Sequence, residues 1–280
     1  MGFAITVGAG VTNIFLDFLF VGIFGWGVTG AAVATIISQC FGGLAPLIYF
    51  AFVGDQDLKF RIVRLESGPI LHACGNGSSE LASSVSSSVV SIVYNAQLLK
   101  YAGENGVAAY GVIMYVAFIF VAMFMGYSIG AAPIISYHFG ACNHSELQNM
   151  RKKSMNIMAV SGVSMMLIAQ LLAGTLAKIY VGYDQALLTL TVRAFHIFTL
   201  AFILSGINIF TSSFFTALNN GPISALIAFM RSLVFELLSV LILPLIFGID
   251  GIWSAISVAE IMAFIMSMLF MLKYKKKYNY

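Results

Sequence analysis

Charge is what this 280-residue chain has least of. Only 9% of its residues are Asp, Glu, Lys or Arg, against 60% hydrophobic, with a mean hydropathy of +0.95. A soluble chain of this length would need far more charge to cover its surface. The net charge of +3 is small and dispersed, which argues against nucleic acid as a partner. Cysteines number three, Cys40, Cys74 and Cys142, without CxxC spacing. They read as small packing residues rather than a disulfide framework or zinc site. A basic leader is also missing, and the first apolar run is too long for a cleaved signal peptide. Met1-Gly2 with Thr6 satisfies the myristoylation pattern only formally, because a membrane span follows at once. No GxSxG, Walker, HExxH or DFG pattern is present, so no hydrolase or ATPase chemistry is expected and the chain does not read as an enzyme.

What is present is a series of long apolar runs. Eight reach the length a spanning helix needs, near 3–24, 28–53, 68–99, 107–137, 154–182, 187–218, 222–247 and 251–272. They are continuously apolar, not alternating, so helices are expected rather than barrel strands. The fold class expected is therefore all-α, a polytopic membrane protein. The connections at Gly25–Gly27 and Gly248–Gly251 are tight enough to make antiparallel hairpins. Basic residues concentrate after alternate segments: Lys59, Arg61 and Arg64; Arg151, Lys152 and Lys153; then Lys273, Lys275, Lys276 and Lys277. The positive-inside rule then puts both termini on the cytoplasmic side of the cell membrane.

Four acids, Asp17, Glu80, Glu236 and Glu260, lie within these runs. A charge at membrane depth costs a few kcal/mol or more, so such acids usually mark an ion or substrate path. Asn13 and Asp17 share one face of the first helix, one turn apart, and Thr35 on the second helix of that hairpin can come alongside. An acid, an amide oxygen and a hydroxyl can coordinate Na⁺ or hold a proton-exchanging carboxyl. The bland alternative is that Asp17 caps or pairs locally. Glu80, Ser84, Ser87, Ser91 and Asn95 fall within an arc of about 80° at 100° per residue. Val85, Val89, Ile92 and Val93 take the other side, so this helix should line a cavity or bundle interior, or else pack through its serines. Tyr110, Tyr115, Asn208 and Ser212 are further candidates to face the same cavity, where aromatic rings can stack on cationic compounds. Arg231 and Glu236 are five apart and do not share a helix face, so either is expected to pair across helices. Glu260 has no evident partner, and structural pairing is the better expectation for it. Gly126, Gly130 and Pro133 are expected to bend or pack the fourth helix.

An internal echo links the two hairpins. Ile23-Phe24-Gly25 with Gly27-Val28 and Ala31 resembles Ile246-Phe247-Gly248 with Gly251-Ile252 and Ala255, an offset of 251 − 27 = 224 residues. A repeat of this kind makes the unit six helices.

Several segments together, in this order, resemble the multidrug and toxic compound extrusion (MATE) family, and most closely its prokaryotic branch of MepA-type export proteins. They are NIFLDFLFVGIFGWGVTGAAVATIISQ at 13–39, CGNGSSELASSV at 74–85, ENGVAAYGVIMYV at 104–116, GYSIGAAPIISYHFGACNH at 126–144 and FGIDGIWSAISVAE at 247–260. The resemblance implies two six-helix lobes around a central cleft, with this chain starting at helix five. Residues 1–54 are then the last hairpin of an amino-terminal lobe and 55–280 a complete carboxy-terminal lobe, the family's first four helices being absent and with them half of the cleft. It implies secondary active efflux of amphipathic, often cationic drugs in exchange for H⁺ or Na⁺, with no other cofactor. Asn13, Asp17 and Thr35 match the family's helix-five and helix-six contributors to a cation site, and Glu80 matches a coupling glutamate on helix seven. No metal beyond Na⁺ at Asp17 or Glu80 is implied; the partners are drug molecules and the lipid bilayer. Arg193, His196 and Asn208 stand where some members carry acids on helix ten, which weighs against a multi-acid cation site in that lobe. Two alternatives remain: a truncated product without transport of its own, and a flippase of related architecture for lipid-linked oligosaccharides, which would call for a more basic cleft.

Overall fold

In the computed structural model the described backbone covers residues 2–53 and 66–280; the described side chains are those of the same residues apart from 53, 69, 76, 78–80 and 82. Every regular element in these residues is helical, and the contacts divide the chain into two compact units, Met1–Glu66 and Ser67–Tyr280. The expected boundary at 54/55, and the basic residues Lys59, Arg61 and Arg64, lie outside the described residues.

The first unit is a helix hairpin. Helix α1 runs Gly2–Ile23 and α2 Gly27–Phe52. Gly25 and Gly27 both adopt positive φ, +67° and +56°, which side-chain-bearing residues rarely tolerate, so the chain reverses within three residues. Phe20 stacks on Trp26 at 5.0 Å across the tip. Helix α1 changes character at Asp17: the α-helical hydrogen bonding of Gly2–Asp17 widens to a π-helix over Phe18–Ile23. Such widened turns recur at functional positions because they offset the side chains on either side.

The second unit holds six helices. Two of them, α3 (67–102) and α4 (104–140), form one unbroken trace of 74 residues, bent at a single residue. The loop expected between the third and fourth runs is replaced by Gly103, with φ 63° and ψ −154°. Then come α5 (His144–Val181), α6 (Gln185–Ala217), α7 (Gly221–Phe247) and α8 (Ile249–Tyr278). Local chemistry sets their ends. Asp184 accepts from the backbone N–H groups of Ala186 and Leu187 at 2.8 and 3.1 Å, and Asn143 accepts from that of Glu146 at 3.2 Å. These side chains satisfy donors that a helix start leaves free. Gly248, with φ +58°, separates α7 from α8 in the second tight hairpin. The eight helices among the described residues correspond to the eight apolar runs.

Packing follows membrane logic, in which small residues rather than large ones mark the contact faces. Met158, Gly162, Met165, Ala169, Ala173, Ala177 and Val181 form the buried row of α5. Many leucines, isoleucines and phenylalanines point outward, where lipid can take them. Aromatic residues fill one end of the unit: Phe124, Phe210, Phe214 and Phe215 are fully buried together. At the other, Tyr94, Leu98, Ile113, Phe195, Phe198 and Trp253 do the same. Gly126 and Gly130 do not mark a close packing contact on α4, because a Cβ at either would meet no atom within 4 Å. The three cysteines, expected as packing residues, are unpaired and exposed.

Candidate functional site

In the hairpin unit, Asn13 and Asp17 sit one turn apart on α1, half-buried. Asn13 Nδ2 and Asp17 Oδ1 are both shut off from solvent, and neither has a hydrogen-bond partner among the described residues. A buried polar atom without a partner is costly, which makes these two atoms, one a donor and one an acceptor, an exception within the hairpin. Thr35 is exposed and turns its hydroxyl back to the carbonyl of Ala31 at 2.9 Å. Asn13 and Asp17 thus share a face of α1, and no hydrogen bond among the described residues ties Thr35 to either.

In the six-helix unit, the backbone of Glu80 lies in α3, while its side chain is outside the described residues. The rest of its row is clear. Ser84 and Ser87 are exposed, and Ser91 and Asn95 are half-buried. Ser87 donates to the carbonyl of Ser83, and Asn95 Nδ2 to that of Ser91, each at 2.9 Å. The buried face of α3 is a different row, Ser86, Val90, Tyr94 and Leu98. Both the polar arc and the valines Val85 and Val89 lie outside the packed seam. Asn95 ends the row in an open hollow of about 520 Å³, shared with Ala96, Leu99, Glu104, Val107 and Ala108.

Tyr110 on α4 stacks its ring on Tyr94 of α3 at 5.1 Å with an 8° tilt. Glu236 opens the α-helical stretch Glu236–Phe247 of α7. Arg231, in the π-helical stretch Met230–Phe235 of α7, grips Glu260 on α8: Nη2 donates to Oε1 at 2.7 Å, and Nε reaches Oε1 and Oε2 at 3.0 and 3.2 Å. Asn208 on α6 adds a 2.6 Å bond to Oε2 and a 3.0 Å bond to the backbone carbonyl of Glu260. Glu260 is only 3% exposed and Asn208 is fully buried. Three helices are therefore pinned at one carboxylate.

The other expected members separate. Tyr115 does not share the environment of Tyr110: it is 66% exposed and stacks on Tyr180 at 6.2 Å. Five positions place the two tyrosines on different faces of α4. Ser212 bonds to Ser224 on α7, both to its hydroxyl at 3.0 Å and to its carbonyl at 3.1 Å, and Thr216 joins at 2.6 Å. Asn208 is committed to Glu260. Ser212 and Asn208 thus tie helices together inside the bundle. Sequence reading left Glu260 unpaired; the only signal for its partner was an arginine on the neighbouring helix of the same hairpin. Among the described residues no group of three His, Cys, Asp or Glu side chains has a geometry for holding a metal ion.

Comparison with known proteins bears on this arrangement. The family profile MatE matches residues 81–242, more than half of the chain. This chain belongs to the MatE family. Among curated relatives, the multidrug export protein MepA of Staphylococcus saprophyticus is 24% identical over 265 residues, covering 92% of this chain and 57% of the relative. Its counterpart in Staphylococcus aureus strain RF122 is 23% identical over 259 residues, covering 92% and 56%. The chain thus spans a little over half the length of the curated relatives it matches. Solved MATE structures share its fold. One in complex with MaL6 superposes with a TM-score of 0.87 at 22% identity, covering 97% of this chain and 62% of that one. An outward-facing multidrug resistance MATE transporter does so with a TM-score of 0.87 at 21% identity, covering 97% and 61%. The matched region of this MatE protein runs from α3 into α7. It takes in the polar row from Ser84 to Asn95, Tyr110, Asn208, Arg231 and Glu236, and stops short of Glu260. The family assignment thus establishes a multi-pass membrane transporter fold, and not an enzyme.

Proposed function

We propose that this MatE chain takes part in secondary active efflux of amphipathic, often cationic compounds, driven by H⁺ or Na⁺ entering down its gradient. The observation that carries this reading is the polar row of α3, which lies outside the packed seam at membrane depth and ends in the open hollow at Asn95. A helix in lipid has no reason to leave serines and an asparagine unpacked unless they line a wet path. Glu80 heads that row and is the coupling acid in this reading: it binds substrate when ionised and releases it on gaining a proton. Ser84, Ser87, Ser91 and Asn95 offer hydroxyl and amide contacts, and Tyr110 an aromatic wall. The Asn13–Asp17 pair is the second cation site, completed by groups that approach its unpartnered atoms. One charge moving across the membrane contributes about 2.3 kcal/mol per 100 mV. Movement of one helical unit against another would alternate access to the path. The charge distribution supports placement in the cell membrane with the Lys- and Arg-rich helix ends, and both chain termini, on the cytoplasmic side.

An oligosaccharide-lipid flippase, whose cargo is anionic, would need free cations at membrane depth. Here Arg231 is taken by Glu260 and Arg193 by Asp250. That disfavours anionic cargo.

The test is ethidium retention in cells lacking their own exporters. The chain is expressed by itself and joined to the part of the staphylococcal relative that it does not match. Export by either form that is abolished by Glu80→Gln, with the protein still present in the membrane, supports the reading. Export unaffected by Glu80→Gln moves the coupling role to Asp17. No export from either form would overturn the proposal.

A further inference from the structure

The two ends of the six-helix unit are unequal in charge. At the end where α4 meets α5, α6 meets α7 and α8 finishes, there are seven cations, Arg151, Lys152, Lys153, Lys273, Lys275, Lys276 and Lys277, against the single acid Glu146, giving 7 − 1 = +6. At the other end Lys100, Lys178 and Arg193 face Glu104, Asp184 and Asp250, giving 3 − 3 = 0. Topology rules alone require an excess of positive charge in the loops on one side. They do not require that it be organised, and here it is. Residues 278–280 fold back over the helix ends. Gln148 Nε2 donates to the carbonyl of Asn279 at 3.2 Å, and Asn220 Nδ2 to the Tyr278 hydroxyl at 2.9 Å. The hydroxyl of Tyr280, buried, donates to the carbonyl of Met271 at 2.9 Å.

These tyrosines form a floor beneath the cations. The Arg151 guanidinium lies 5.5 Å from the Tyr280 ring, and Lys277 lies 5.7 and 5.2 Å from Tyr274 and Tyr278. The ring faces align two separate basic clusters, one on α5 and one on α8, on a single surface. None of the seven cations is in a salt bridge with an acid among the described residues, and Arg151 Nε has no hydrogen-bond partner there. Six of the seven are exposed lysines. Tyrosine and lysine at the ends of spanning helices sit at the depth of lipid headgroups, and a cluster of four to eight such cations attracts acidic lipid.

We propose that this end of the six-helix unit is a binding surface for the headgroups of anionic phospholipids, with the α5 and α8 clusters contacting lipid phosphate together. The surface is a property of the fold and does not depend on what the protein transports.

The experiment uses the full chain in neutral detergent, titrated with phosphatidylglycerol or phosphatidylcholine of equal chain length, with bound lipid counted by native mass spectrometry. Phosphatidylglycerol should be retained about tenfold more tightly, and the preference should shrink as salt rises. Replacing Lys273, Lys275, Lys276 and Lys277 by Gln should remove most of it, and so should replacing Arg151, Lys152 and Lys153 by Gln. Lys100→Gln with Lys178→Gln, at the neutral end, should leave it intact. Circular dichroism identifies any variant that fails to fold, and the salt titration of the unaltered chain remains decisive in that case. Equal retention of both lipids, a preference indifferent to salt, or survival of the preference in both basic-cluster variants would each overturn the proposal. So would displacement of the lipid by millimolar inorganic phosphate, which would mark a site for a soluble anion instead.

Discussion

Arg231 and Glu260 are 29 positions apart and sit on consecutive helices, yet the guanidinium holds the carboxylate through two nitrogens at 2.7 and 3.0 Å while Asn208 approaches from a third helix. Neither charge is paired within its own helix. A carboxylate at membrane depth is tolerable only when its lone pairs are met, and here they are met by donors on two other helices. The cluster therefore sets how α6, α7 and α8 sit against one another.

Breaking that pair from one side should be far worse than removing it whole. Arg231→Met leaves Glu260 buried beside Asn208 alone, at a cost of about 3–5 kcal/mol. The double change Arg231→Met with Glu260→Leu removes both charges and should recover most of that loss. Thermal unfolding of the purified protein in one detergent reads the difference. Equal destabilisation by the single and double variants would mean the pair matters only through the volume it fills.

The contact between α5 and α6 should tolerate no added carbon at one point. A Cβ on Gly162 would lie 2.7 Å from the carbonyl oxygen of Phe202 and 2.8 Å from that of Ile203. Gly162→Ala should lower stability by about 1–3 kcal/mol, the usual cost of overpacking. Gly174→Ala, on the same helix with no atom within 4 Å, should be neutral or slightly stabilising, since alanine favours helix. The same unfolding assay compares them.

The bend between α3 and α4 should depend on glycine. At φ 63° and ψ −154°, Gly103 occupies a region nearly closed to residues with a Cβ. Gly103→Ala should cost about 1–3 kcal/mol although nothing crowds the position. Amide exchange should then speed up around the bend more than in the distant hairpin of α7 and α8.

The two tyrosines of α4 should part company in transport. Tyr110→Phe removes the ring hydroxyl and should slow ethidium export in any competent form while leaving the stack on Tyr94. Tyr115→Phe, on the exposed face against Tyr180, should export normally. The reverse order of effects would place the path on the Tyr115 side.

The helices, their number and both glycine hairpins could be read from hydropathy and spacing, because spans of the right length dominate every other signal in a chain this apolar. The side of each helix that packs could not. In a soluble protein the apolar face is the buried one, whereas here Val85, Val89 and Ile92 are as exposed as Ser84. The buried row, Ser86–Val90–Tyr94–Leu98, mixes small, aromatic and aliphatic residues and carries no hydropathy contrast with its neighbours. That Asn13 and Asp17 share a helix face was legible because it is local, one turn along one helix. The Arg231–Glu260–Asn208 cluster was not, since its members lie on three helices and only the packing of those helices brings them together.

The buried row on α5 has a consequence for how this protein can change over generations. Gly162, Ala169, Ala173 and Ala177 are already near the lower limit of side-chain size and buried, and at Gly162 the carbonyls of Phe202 and Ile203 stand where a Cβ would go. Most substitutions at these four positions enlarge them, so the constraint runs largely one way. Ser84 and Ser87 on α3 are exposed and meet no such barrier. Adaptation to new compounds should therefore accumulate on α3 and leave α5 unaltered.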